Sequence, residues 1–154
     1  MKLTFVGCGD AFGSGGRLNT CFHVEASSTS FLIDCGASSV AGLKRLQIER
    51  NAIDTILITH FHGDHFGGIP YFILDAQLFA KRTRPLIVAG PEGLTTWYKK
   101  TLETAFPGSS ETNQKFDLEL VEIVPGKPTS IGGLEVIAAR VRHGPLDGPF
   151  FAYR

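Results

Sequence analysis

Three histidines and a carboxylate lie within six residues, at His60, His62, Asp64 and His65. Histidine is scarce elsewhere, because the whole chain holds five. Neutral imidazole and carboxylate are ligands that zinc, manganese and iron accept in proteins. Along an extended segment, His60 and His62 can point to the same side and bind one ion. Asp64 and His65 turn towards a predicted helix and face a neighbouring point for a second ion. This density of ligands predicts a metal site rather than a polar surface loop.

A remote third ligand for the first ion is expected at His143, which follows the strand-like run 136–141. Catalytic zinc sites use three protein ligands and keep one position open. A lone histidine at a strand end is usually a polar surface residue, but the cluster upstream favours the ligand interpretation. His23 lies inside a predicted strand without such neighbours, and we expect a structural role for it.

The elements that must position the cluster are a predicted strand at 53–58, which leads into it, and a predicted helix at 66–82. The Gly-rich segment 7–16 predicts a turn, because its spacing fits neither the dinucleotide fingerprint nor a P-loop. Strands that alternate with helices indicate an α/β chain. Further strands are predicted at 3–6, 20–25, 30–34, 85–88, 118–123, 134–141 and 150–153, and further helices at 39–49 and 92–105.

Composition and charge limit the classes of function. Fifteen Lys and Arg balance fifteen Asp and Glu, so the formal net charge is zero and no general field attracts nucleic acid or an anionic membrane. No apolar run reaches the length of a membrane span, and the N-terminal run is too short for a signal peptide. Three cysteines without C-x-x-C spacing suit buried free thiols in a reducing compartment. We therefore expect a cytoplasmic protein without membrane association.

The segment 59–65, Thr-His-Phe-His-Gly-Asp-His, resembles the H-x-H-x-D-H signature of the metallo-β-lactamase superfamily. Flanking motifs are similar to those of its ribonuclease Z and phosphodiesterase branch. They lie at 5–9, 32–36, 67–70, 90–93, 141–143 and 152–154. The resemblance covers essentially the whole chain. It implies an α/β fold, the metallo-β-lactamase αββα sandwich, of which this chain would cover mainly the N-terminal αβ half.

The same resemblance implies a two-zinc site, with manganese or iron as alternatives. Asp64, as a ligand on the second-metal side, receives the catalytic role. Asp34 would orient the ligand loop through hydrogen bonds, and the alternative for it is a turn-capping role. In the family a hydroxide that bridges the ions attacks phosphorus or a carbonyl carbon. The implied ligands are His60, His62 and His143 for the first metal, and Asp64 and His65 for the second.

The family also has a second αβ half, which supplies a bridging aspartate and a final histidine. Neither is present before Arg154, because no histidine follows His143 and Asp147 lies too near it to be the usual bridging aspartate. We therefore expect residues 1–154 to form a metallo-β-lactamase-like domain that is incomplete at its C-terminus. We also expect a homodimer.

The leading functional hypothesis is a metal-dependent hydrolase, namely a phosphodiesterase that acts on RNA or on a small phosphodiester. The balanced charge argues mildly against a dedicated tRNA binder. One alternative is a thioester or other ester hydrolase of the same superfamily. Another is a non-catalytic metal-binding module, if the chain truly ends at Arg154. A nucleic-acid-binding protein without catalysis would need a basic surface that the charge balance does not show.

Overall fold

The computed structural model describes residues 1–143 and 148–154, which form two β-sheets and a layer of helices. The larger sheet contains, in spatial and chain order, β1 (Lys2–Gly7), β2 (Cys21–Glu25), β3 (Ser30–Ile33), β4 (Thr55–Leu57), β5 (Leu86–Gly90) and β6 (Leu118–Glu122). The smaller sheet contains β7 (Pro128–Ile131), β8 (Leu134–Arg140) and β9 (Phe151–Tyr153). The helices are α1 (Ser39–Arg45), α2 (Gly63–Phe66), α3 (Ile69–Leu74) and α4 (Leu94–Ala105). Short 3-10 turns at Ser14–Gly16, Arg50–Ala52 and Ser109–Glu111 and a π-turn at Asp75–Phe79 complete the described elements.

The order of strand directions places the ends of several strands at one edge. β1, β2 and β3 pair antiparallel, whereas β3 to β6 run parallel to one another. Parallel strands end at the same edge of a sheet, where ligands of α/β proteins usually bind. Asp34 follows β3 at this edge, and the histidine segment follows β4.

The central strands of the larger sheet are apolar on both faces, because helices cover one face and the smaller sheet covers the other. Ile56 of β4 is fully buried against the helical layer, and its neighbour Leu57 packs against the smaller sheet. The opposite directions of the two side chains follow from the two-residue repeat of a strand. A continuous apolar run such as 56–58 is typical of a strand buried on both faces.

At β1 and β2, the face of the larger sheet on the side of the smaller sheet is only partly covered. Leu3 and Phe5 are 51% and 62% exposed, although both lie on an apolar strand. Phe5 contacts Phe22 of β2 edge to face, with ring centroids 5.2 Å apart. The smaller sheet packs over Leu57 and Ala89 of the central strands and leaves this part of the layer open.

Several predicted boundaries are wrong. The helix predicted at 66–82 is divided into α2, α3 and the π-turn, because the helix is interrupted at Gly67 and Gly68. A Cβ on Gly68 would lie 2.2 Å from the backbone oxygen of Gly36, so the close approach of two backbones fixes this break. The helix predicted at 39–49 ends at Arg45, and Gln47 adopts a left-handed φ of 56°. β7 was not predicted at all.

A buried carboxylate joins α1, the turn after it and the π-turn. The side chain of Asp75 is 6% exposed and forms ion pairs with Lys44 at 2.6 Å and Arg50 at 2.7 Å. Burial alone would raise the pKa of Asp75, but hydrogen bonds and charge from Lys44 and Arg50 outweigh it and lower the pKa below its ordinary value. A group of this kind stabilises the fold above its unfolded-state pKa, and the contribution disappears as the pH falls through the folded-state pKa.

Asp75→Asn is therefore expected to lower the free energy of unfolding by about 1–3 kcal/mol at pH 7, because two cations lose a charged acceptor. The difference in the free energy of unfolding between Asp75→Asn and the parent should shrink as the pH falls below the ordinary pKa range of aspartate. Urea unfolding from pH 7 to pH 3 measures both effects. Asp54→Asn is the control, since its ion pair with Arg84 is exposed and should be worth at most about 1 kcal/mol. Equal losses of the free energy of unfolding in Asp75→Asn and Asp54→Asn would contradict a stabilising role for the buried Asp75 ion pairs.

Candidate metal centre

The histidine segment begins where β4 leaves the sheet and ends in the first turn of α2. His62 is extended, with φ −67° and ψ 149°, and stands immediately before the helix. The backbone nitrogens of His65 and Phe66 donate to the carbonyl of His62, which starts the helical turn. Two histidines are thus held on the extended part of the segment, and Asp64 and His65 on the helical part.

The structure brings His60, His62 and His143 together. One potential ligand atom of each residue lies within 4.8 Å of the others. The ring centroid of His60 lies 4.6 Å from that of His62 and 4.8 Å from that of His143. His143 arrives from the end of β8, more than eighty residues later in the chain. We name these three residues the three-histidine cluster.

His60 is the buried member of the three-histidine cluster, with 6% of its surface exposed. Its Nε2 is buried and has no hydrogen-bond partner among residues 1–143 and 148–154. Burial, followed by the charges of His65, His62 and His143, lowers the pKa of His60 to about 4. The ring is therefore neutral near pH 7, which is the form that binds a metal ion.

Asp64 and His65 lie beside the three-histidine cluster and contact each other. His65 Nε2 is 3.4 Å from Asp64 Oδ2, and the rings of His65 and His60 are 4.1 Å apart. Burial lowers the pKa of His65, but the hydrogen bond and charge of Asp34 together with the charge of Asp64 outweigh it and raise the pKa above its ordinary value.

Asp34 lies beneath the histidine segment and is 2% exposed. Its carboxylate accepts hydrogen bonds from the Thr59 backbone nitrogen at 2.8 Å and from Thr59 Oγ1 at 2.9 Å. Nδ1 of His65 lies 2.6 Å from Asp34 Oδ2. Asp34 has a φ of 61°, in the left-handed region, where non-glycine residues are uncommon and cluster at functional sites.

The aromatic side chain of Phe150 borders the three-histidine cluster, and it also lines a cleft that two arginines share. The ring of Phe150 lies 5.4 Å from that of His60 and 5.1 Å from that of His143. The cleft has a volume of about 770 Å³ and is lined by Phe150, Arg140, Arg142, Glu92, Gly93, Val141, Gly148 and Pro149. Sequence reasoning assigned no role to Phe150 and the two arginines. Their position at the ends of β8 and β9, on either side of His143, is the signal that could have found them.

Three further sequence predictions concern residues outside the cluster. His23 is 4% exposed and its Nε2 lies 2.8 Å from Ser30 Oγ, within the pairing of β2 and β3. Asp147 belongs to residues 144–147 and lies outside the described residues. Cys21 and Cys35 are buried as expected, whereas Cys8 is exposed and the expectation of burial was wrong for it.

The profile of a protein family described as "Anti-Pycsar protein Apyc1" matches residues 1–151. The chain belongs to this family. The match covers both the histidine segment after β4 and His143 after β8. The chain also lies in the ribonuclease Z and phosphodiesterase-like branch of the metallo-β-lactamase superfamily, as its motifs predicted.

Named relatives agree with this placement. Ribonuclease Z of Bacillus thuringiensis (strain Al Hakam) is 32% identical over 148 residues, which are 94% of this chain and 46% of that protein. The crystal structure of the short form of human tRNase Z is 27% identical, with a TM-score of 0.78 over 99% of this chain and 64% of that one. The metallo-β-lactamase fold protein YhfI from Bacillus subtilis is 18% identical, with a TM-score of 0.71 over 98% of this chain and 56% of that one.

The predicted fold class is confirmed by these structures. The mixed α/β architecture is that of the metallo-β-lactamase fold, and the chain corresponds to its N-terminal half. The chain spans between 34% and 46% of the length of the curated ribonuclease Z relatives from Exiguobacterium and Bacillus thuringiensis. In the described residues, no helix combines the length and apolar character needed to cross a bilayer.

Proposed function

We propose that the protein is a metal-dependent phosphodiesterase that acts on RNA or on a small phosphodiester. The observation that carries the proposal is the three-histidine cluster at the carboxyl edge of a sheet, where the buried Nε2 of His60 has no partner among the described residues. The relatives named ribonuclease Z and tRNase Z support a phosphodiester as the bond that is cleaved.

The residues present fit a divalent metal ion. We propose that His60, His62 and His143 hold the first ion, that Asp64 and His65 hold part of a second site, and that the native metal is zinc. Three imidazoles with an open position are typical of catalytic zinc. A bound ion would act as a Lewis acid on the substrate and supply a nucleophilic water at neutral pH. Asp34 holds the ring of His65 and the start of the segment in place through its three contacts.

The charge of the neighbouring cleft favours an anionic substrate. Arg140 and Arg142 line it with a single carboxylate, Glu92, so the described lining has a surplus of positive charge. Arginine donates paired hydrogen bonds to phosphate oxygens. The ring of Phe150 offers an apolar wall next to the cluster, suited to the leaving group of a phosphodiester. A neutral thioester or carboxylic ester would not need this charge.

Hydrolysis of bis(p-nitrophenyl) phosphate by the protein in its natural length tests the proposal. We expect turnover that disappears on dialysis against EDTA and returns with added Zn²⁺ or Mn²⁺. Activity that is indifferent to EDTA would contradict a metal-dependent reaction. A preference for p-nitrophenyl acetate or a thioester would favour the ester hydrolase alternative. Tight binding of metal without any turnover would favour the non-catalytic module.

The exposed apolar face of β1 and β2 supports a proposal about the domain. We propose that a second αβ half covers Leu3 and Phe5 in the natural-length protein, as the greater length of the relatives suggests.

Two apolar side chains on the outer helical side, Leu78 and Phe79, are 62% and 71% exposed and support a homodimer. The free thiols of the cysteines support a reducing, cytoplasmic location.

A further inference from the structure

We propose that Thr59 is a positioning residue that fixes the tautomer of His60 and so keeps the Nε2 lone pair of His60 available to a metal ion. The inference rests on the proposed function, because it assigns how the three-histidine cluster is prepared for its ion. Thr59 is the last residue before the cluster, and its side chain contacts both Asp34 and His60.

The Asp34 carboxylate determines how Thr59 uses its hydroxyl hydrogen. Thr59 Oγ1 lies 2.9 Å from Asp34 Oδ2, and the Thr59 backbone nitrogen lies 2.8 Å from Asp34 Oδ1. An ionised carboxylate can only accept hydrogen bonds, whereas a hydroxyl has one hydrogen to donate. Thr59 therefore donates its hydroxyl hydrogen to Asp34 and has only lone pairs left for other partners.

The remaining contact of Thr59 decides which nitrogen of His60 carries the proton. Thr59 Oγ1 lies 2.9 Å from His60 Nδ1. Because the hydroxyl can only accept in this pair, His60 Nδ1 must donate and must carry a hydrogen. In a neutral imidazole the other nitrogen then has a free lone pair. The hydrogen-bond chain from Asp34 through Thr59 thus fixes Nε2 of His60 as the unprotonated atom.

The surroundings of His60 Nε2 indicate that this tautomer favours the binding of a metal ion. Nε2 is buried and has no donor near it in the described part of the chain, and His62 and His143 lie around it. A buried acceptor without a donor is unfavourable unless a cation or water fills the gap. A free neutral imidazole in water prefers the opposite tautomer, with the proton on Nε2. Thr59 therefore acts against the intrinsic preference of the ring and in favour of metal binding.

The experiment compares Thr59→Val, which removes the hydroxyl at nearly constant shape, with Thr59→Ser, which keeps it. Thr55→Val is the matched control, because Thr55 begins β4, the strand that leads to Thr59, and its Oγ1 is buried without a partner among the described residues. Two-bond ¹H–¹⁵N spectra of the metal-free proteins at pH 7 report the tautomer of His60. Competition with a chromophoric chelator reports the affinity for Zn²⁺.

We expect Nδ1–H in the parent, in Thr59→Ser and in Thr55→Val, with unchanged zinc affinity in both variants. Thr59→Val should show protonation of Nε2 and a loss of zinc affinity of about 10–100-fold, the range for partners that orient metal-bound histidines. An Nε2–H tautomer of His60 in the parent would overturn the inference, and this outcome does not depend on the folding of any variant. Retention of the parent tautomer and affinity in Thr59→Val would overturn it as well. A parent with the Nδ1–H tautomer that binds no zinc would instead contradict the proposed function.

Discussion

His62→Ala is expected to reduce the affinity of the first site for zinc by more than about 100-fold and to abolish metal-dependent turnover. The loss of zinc affinity should exceed that caused by removal of a residue that only orients a ligand, because one of the three proposed direct ligands disappears. His62 belongs to the exposed part of the three-histidine cluster, so its removal should leave the free energy of unfolding nearly unchanged. Competition with a chromophoric chelator measures the affinity, and circular dichroism checks the fold.

The chain offers a matched control for this change. His23 is the histidine that lies apart from the segment and from His143, and its Nε2 contacts Ser30. His23→Gln should keep the parent zinc affinity within about twofold, although it removes one of the five imidazoles. Unchanged zinc affinity in His62→Ala, or an equal loss in His23→Gln, would show that the cluster is not the site.

Asp64→Ala is expected to lower the turnover of bis(p-nitrophenyl) phosphate by about 10²–10⁴-fold, as is typical when a group at the reacting centre is lost. The zinc affinity of the proposed first site should change by less than about tenfold, since Asp64 lies beside His65 rather than within the three-histidine cluster. The comparison of turnover with affinity is the decisive readout, because a folding defect would lower both.

Asp54→Ala provides the control for Asp64→Ala. Asp54 precedes β4, at the opposite edge of the sheet, and pairs with Arg84 on the surface. Its removal should leave both turnover and zinc affinity unchanged. Loss of all bound metal in Asp64→Ala would place Asp64 in the first site and contradict the division between the two points. Parent turnover in Asp64→Ala would remove its catalytic role.

The fold and the types of candidate ligand could be predicted because both depend on local patterns of the sequence. The apolar run that ends at Ile58 and the short spacing of His60 and His62 indicate a buried strand that delivers ligands to its end. The match to His143 came from a motif rather than from geometry. What brings His143 to the cluster is the packing of the smaller sheet over β4, where Tyr153 donates a hydrogen bond to the carbonyl of Ile58. The ligand roles of these histidines stay a prediction.

Other features depend on contacts between distant segments and could not be predicted. The predicted helix at 66–82 divides because the backbone of Gly68 approaches that of Gly36, which no periodicity records. The contact of Thr59 with Asp34 and His60 requires the ends of β3 and β4 to be adjacent, so the sequence showed Thr59 only as part of a motif. Phe150, the residue just before β9, lies against the cluster only because the smaller sheet packs over the larger one.

The zinc content of the purified protein tests the central claim most directly. Elemental mass spectrometry on gel-filtered protein of confirmed intact mass, loaded with Zn²⁺ and then desalted, gives the number of ions per chain. The account predicts at least about one zinc ion per chain, retained in His23→Gln and lost in His62→Ala, and about two where the second site is completed. A parent protein that retains no zinc, manganese or iron after this treatment would contradict the account.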